Sequence, residues 1–113
     1  MKKIIKPWGY ELIVENNKKY SVKKLFMKKG KRCSLQFHKK KRETIYVLSG
    51  KLRITFGNKI NKLRNKIFTS GESLTIKPNT IHRMEAVSNA YYLEASTSQL
   101  KDVVRLEDDF NRV

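Results

Sequence analysis

Short stretches in which apolar and polar residues alternate, each ended by a turn signal, constrain this chain more than any other feature. Tyr10, Leu12 and Val14 hold every second position until Asn16-Asn17 breaks the pattern. Tyr20, Val22 and Phe26 fall on one face of the next stretch, and Lys23, Leu25 and Met27 on the other, before Lys29-Gly30. Leu35 and Phe37 alternate with Gln36 and His38, and Glu43, Ile45 and Val47 form a same-face set ended by Ser49-Gly50. Leu52, Ile54 and Phe56 run to Gly57-Asn58, Leu74 and Ile76 lie between Ser70-Gly71 and Pro78-Asn79, and Tyr91 to Ala95 reads as a late strand. A period of two is the signature of a strand, whose successive side chains point to opposite faces. Turns at this spacing predict an all-β sandwich or barrel of about eight to ten strands. Asn58 to Asn65 is the least regular segment and reads as a mobile hairpin tip. Leu100 to Leu106 reads as a helical turn or an extended arm leading to the acidic Glu107-Asp108-Asp109. No internal repeat or linker divides the 113 residues, so one domain over 1–113 is expected.

Composition narrows the partners. No apolar run approaches the roughly 18 residues that span a bilayer, and the basic start from Met1 to Pro7 lacks the apolar stretch of a signal peptide. A single cysteine, Cys33, excludes an intrachain disulfide and fits a reducing cytoplasm; it sits in an alternating stretch and reads as a small buried side chain. The 26 basic residues against 10 acidic ones give a formal net charge of +16. Such a balance raises nucleic acid or another anionic polymer as a partner. Yet the lysines are spread over much of the chain, with neither an aromatic RNA-binding motif nor a basic amphipathic helix. Attraction of phosphorylated small molecules is a milder use of the same field.

Four polar residues stand out against this background. Gln36 and His38 are two apart and share a strand face; Glu43 follows a short basic turn, and His82 follows the Pro78-Asn79 turn. His38 and His82 are the only histidines of the chain. One carboxylate, two imidazoles and an amide oxygen suit a divalent cation with positions left open for substrate. Mixed nitrogen and oxygen ligation suits zinc, manganese, iron, cobalt or nickel alike.

The spacing of these residues resembles the two cupin motifs. Gly30, Gln36, His38, Glu43 and Gly50 follow the first, with glutamine for its usual first histidine. Gly71 through His82 follows the second, with Lys77 for a usual proline and Asn79 for a usual glycine. Asparagine tolerates positive φ, so that turn can survive. Lys-Pro-Trp-Gly-Tyr-Glu at Lys6 to Glu11, Ser-Leu-Gln-Phe-His at Ser34 to His38, the Val47 to Gly50 turn and the tail from Ser96 to Arg112 are similar to the phosphomannose isomerase cupin family. Phe110-Asn111 stands where that family usually has Tyr-Gly.

The resemblance implies a single cupin jelly-roll β-barrel, with a short C-terminal arm or helical turn. It also implies zinc or a similar ion on Gln36, His38, Glu43 and His82, and interconversion of mannose 6-phosphate and fructose 6-phosphate. Neutral Gln36 would preserve the net positive charge that an enediol oxyanion needs. Lys23 matches a family lysine and is the expected catalytic base, since a desolvated lysine titrates lower. Arg112 and Arg105 match family arginines; Arg112 is the expected catalytic contact, Arg105 a substrate contact, since guanidinium grips phosphate bidentately. Glu11, the other candidate for the base, and Arg83 complete the expected substrate contacts, with Arg83 at the cavity mouth. Trp8 reads as core or rim packing, and Lys41 as a solvated turn residue. A non-catalytic metal- or sugar-binding cupin is the alternative, and pairing through edge strands makes a homodimer the expected assembly.

Overall fold

The computed structural model describes residues 1–99 and 101–112. Eleven strands, and no helix, occur among them. Six form one antiparallel sheet: β1 (Lys2–Lys6), β2 (Gly9–Asn16), β3 (Ser21–Met27), β5 (Glu43–Ser49), β8 (Ser73–Ile76) and β10 (Ala90–Ser96), in the order β1-β2-β3-β10-β5-β8. The other five are β4 (Leu35–Phe37), β6 (Leu52–Gly57), β7 (Arg64–Phe68), β9 (Ile81–Ala86) and β11 (Val104–Glu107), in the order β11-β4-β9-β6-β7. The two sheets enclose the core in a jelly roll.

The alternation works as physical chemistry requires. Along β3 every second residue, from Ser21 to Met27, is buried; along β5 Glu43, Ile45 and Val47 are. Leu25, Met27, Ile45, Val47, Leu52 and Ile54 meet in the interior. Trp8 joins this core and also borders a cavity between the sheets.

Three expectations shift. Strands outnumber the expected eight to ten because Lys2–Lys6 pairs with β2 although its side chains are mostly exposed. The hairpin tip is shorter than Asn58–Asn65, since Arg64 and Asn65 already pair with Phe56 and Thr55. The tail is extended: Val104–Glu107 adds as an edge strand, setting Arg105 opposite Gln36. Leu100, the first residue of that expected arm, lies outside the described residues.

Two asparagines take conformations that glycine usually fills. Asn79 has φ 65° and Asn111 φ 57°. The Asn79 N–H donates to the His38 carbonyl at 2.6 Å, so the turn before β9 is tied to the end of β4.

Candidate metal centre

Backbone pairing brings the four singled-out residues together from both sheets. Gln36 on β4 is the register partner of His82 on β9, which places their side chains side by side. His38 follows β4 directly. The turn of residues 39–42 then carries the chain to the opposite sheet, where Glu43 opens β5. Glu43 Oε1 lies 3.0 Å from His82 Nε2 and 3.7 Å from His38 Nε2, with all three side chains buried.

Hydrogen bonds fix which ring nitrogens face inward. His38 Nδ1 bonds the Asp102 carbonyl, and His82 Nδ1 bonds the Thr80 carbonyl at 2.9 Å. A carbonyl only accepts, so each Nδ1 carries a proton and each ring in its neutral form offers the Nε2 lone pair to the centre. Burial depresses the pKa of His38, which favours that neutral form. His82 Nε2 and both Glu43 oxygens are buried without hydrogen-bond partners among the described residues. Lone pairs of a nitrogen and a carboxylate 3.0 Å apart repel unless positive charge lies between them. The donor set therefore fits a divalent cation held by His38, Glu43 and His82.

Gln36 is less settled in orientation. Its Oε1 accepts from the Ser34 hydroxyl, and its Nε2 lies 3.4 Å from His38 Nε2. Turning the amide over presents Oε1 to a cation and leaves Nε2 donating to Ser34 Oγ, which accepts equally well.

Lys41 corrects the expectation of a solvated turn residue. It is buried, and its ammonium lies 3.2 Å from Glu43 Oε2 and 3.0 Å from Glu94 Oε2. Burial works against that charge, but the two carboxylates hold the Lys41 pKa above its usual value. For Glu43, burial opposes ionisation; the neighbouring His82 ring and the Lys41 charge outweigh it and hold the carboxyl well below the usual range. Burial pushes Glu94 up to about 7, with the Glu43 charge adding to it.

The cluster opens on a cavity of about 350 Å³. On its wall Lys23 Nζ pairs with Glu11 Oε1 at 3.3 Å and stands in register with Glu94. Charged groups therefore alternate in sign along this wall: Glu11, Lys23 and Glu94 on β2, β3 and β10, then Lys41 of the turn and Glu43 at the start of β5. Lys6, Lys101, Arg105 and Arg112 line other parts of the cavity. The Nε of Arg105 and the hydroxyl of Tyr92, both lining the cavity, are buried without a hydrogen-bond partner among the described residues.

Most expected substrate-side residues border this cavity; Arg83 does not. Glu11, Lys23, Arg105 and Arg112 line it, although Arg112 is also bound to Asp108, its Nε 2.7 Å from Oδ2. Arg83 is buried on the far face of β9. Its Nε donates to the Cys33 carbonyl at 2.9 Å, and Nη1 and Nη2 reach Oε1 and the backbone oxygen of Glu107. It thus joins β9 to the segment before β4 and to β11. Glu94, Tyr92 and Asp102 were missed. The period of two would have found Glu94 once Tyr92 was phased inward.

A jelly roll with a buried two-histidine, one-carboxylate cluster beside a cavity defines a cupin. More narrowly, the chain belongs to the mannose-6-phosphate isomerase C-terminal family, whose model matches residues 1–112. Its curated relatives include the mannose-1-phosphate guanylyltransferases RfbM and ManC of Salmonella typhimurium. RfbM is 33% identical over 73% of this chain and 16% of its own length; for ManC the figures are 28%, 99% and 23%. The chain thus spans less than a quarter of these relatives. Solved structures share the fold. KdgF from Halomonas sp. superposes with a TM-score of 0.78 at 12% identity, over 90% of this chain and 92% of that one. Bacillus subtilis oxalate decarboxylase, a protein with Mn(II) centres, superposes with a TM-score of 0.79 at 19% identity, over 94% and 30%. No helix among the described residues is long and apolar enough to cross a membrane.

Proposed function

We propose that this chain is a cytoplasmic, metal-dependent isomerase that interconverts mannose 6-phosphate and fructose 6-phosphate, with zinc on Gln36, His38, Glu43 and His82. One observation carries the reading: two inward imidazoles and a buried carboxylate converge at the end of a cavity lined by six basic residues. A bound ion supplies positive charge beside the sugar oxygen that turns negative during enolisation. The remaining work falls to the chain's own groups. Lys6, Lys101 and Arg105 attract and orient the phosphate, and the unpartnered Arg105 Nε is a donor ready for one of its oxygens. The Glu11–Lys23–Glu94 row takes the proton from C2 and returns it to C1, which keeps the transfer on one wall.

The test is metal analysis followed by a coupled assay with mannose 6-phosphate. Activity should vanish with a chelator and return with added metal, and His82→Ala should fall below about 1% of the wild-type rate. A His82→Ala variant at full rate would defeat the reading. A second reading, a sugar-phosphate-binding cupin without turnover, is favoured by the pairing of Lys23 with Glu11 and of Arg112 with Asp108. Heat released on binding mannose 6-phosphate, with no fructose 6-phosphate formed, would select it.

A further inference from the structure

Asp102 lies in the short segment between β10 and β11, remote in sequence from the loop it touches. Its Oδ1 accepts the N–H of Lys39 at 3.2 Å; its Oδ2 accepts the N–H groups of Lys40 at 2.6 Å and Lys41 at 3.0 Å. Its backbone carbonyl accepts the Nδ1–H of His38. One residue of the arm thus gathers donors from four consecutive residues, 38 to 41. This loop crosses from one sheet to the other and has no ladder of its own, so its amides need an outside acceptor. Successive N–H groups converging on an anion also fix the loop's curvature, and with it the direction from which His38 and Glu43 approach each other.

We propose that Asp102 is a positioning residue of the metal centre: by clasping residues 38–41 from the C-terminal arm, it sets the orientation and tautomer with which His38 meets the cation. This rests on the metal-binding part of the reading above and not on the isomerase reaction. Lys101, Val103 and Arg105 of the same arm line the cavity. A ligand that engages the arm and an ion that engages His38 therefore stabilise one and the same contact.

The experiment titrates full-length apo protein with Co²⁺ and follows the visible absorption of the bound ion. Asp102→Ala should weaken Co²⁺ binding by about 10- to 100-fold, the usual effect of losing a group that orients a ligand, and should shift the absorption band. Asp102→Asn keeps an acceptor oxygen and should recover most of the affinity. A merely structural role would lower the melting temperature but leave the spectrum of the folded protein unchanged. Wild-type affinity and spectrum in Asp102→Ala overturn the proposal. A measurement on unmutated apo protein can overturn it even where the variant fails to fold. With only two histidines in the chain, long-range proton–nitrogen correlations read both tautomers. His38 should carry its proton on Nδ1; a proton on Nε2 instead overturns the proposal. If wild-type protein binds no Co²⁺, the metal reading and this one fall together; if it binds and Asp102→Ala binds as tightly, only this one falls.

Discussion

The interior has two ends built from the same strands, and they obey different rules. Along β3 the inward residues run from Lys23 through Leu25 to Met27, along β5 from Glu43 through Ile45 to Val47, and along β9 from His82 through Met84 to Ala86. β10 runs antiparallel and matches them, setting Glu94 opposite Lys23, Tyr92 opposite Leu25 and Ala90 opposite Met27. One end is therefore hydrocarbon and the other ionic, with a single sheet register aligning both. At the hydrocarbon end only volume and shape matter, so similar side chains exchange at modest cost. At the ionic end each charge is held by its neighbour, so removing one leaves another buried and unpaired.

Lys41 gives the sharpest break between the two ends. Lys41→Met fills a similar volume but leaves Glu43 and Glu94 without their shared cation. A loss of about 3–5 kcal/mol in urea unfolding is expected, and adding Glu94→Gln should restore part of it. A cost below about 1 kcal/mol would show that the ionic end tolerates change as the hydrocarbon end does.

Cys33 samples the boundary. Its thiol is buried, accepts the Met84 N–H at 3.3 Å, and is pushed up to about 11 by burial. Relative to an ordinary cysteine this cuts the thiolate fraction at pH 8 by about a hundredfold. Alkylation by iodoacetamide should be slower by at least that factor in folded protein and normal in urea. Equal rates would place the thiol in water.

How much of this was legible depended on phase. Gln36 and His38 could be paired because their spacing alone sets a shared face, and Asn79 could stand for glycine because its short amide tolerates positive φ. Glu94 was hidden by the Tyr91-Tyr92 doublet, which is aromatic on both faces and gives no phase. Lys41 was hidden among four consecutive basic residues, Lys39 to Arg42, where nothing local says which one turns inward. Arg83 was misplaced against the same rule that found the others: as the strand neighbour of His82 it points to the opposite face. Asp102 and β11 rest on contacts across more than sixty residues, which no local pattern encodes.

Ile54 tests the hydrocarbon end directly. It is fully buried in the core, opposite Met84 and two residues along β6 from the partner of His82. Ile54→Val removes one methylene and should cost about 0.5–1.5 kcal/mol, with Co²⁺ affinity unchanged. A fall in metal affinity would mean that the two ends are mechanically coupled through β9, the neighbour of β6.

The smallest effect is expected at Asn79, and its smallness is informative. A left-handed residue other than glycine costs about 1–2 kcal/mol, less for asparagine. Glycine removes that cost but gives the unfolded chain more freedom to lose. The terms oppose each other, so Asn79→Gly should change stability by only a few tenths of a kcal/mol. The N–H that bonds the His38 carbonyl at 2.6 Å belongs to the backbone and survives the change, so metal affinity should hold as well. Asn79→Val keeps that N–H but cannot rest at φ 65°. It should cost both stability and Co²⁺ affinity, because straining this turn strains the loop that carries His38. Loss of metal affinity in the glycine variant would instead assign the role to the asparagine side chain, and the ionic end would then extend one turn further than the charged cluster itself.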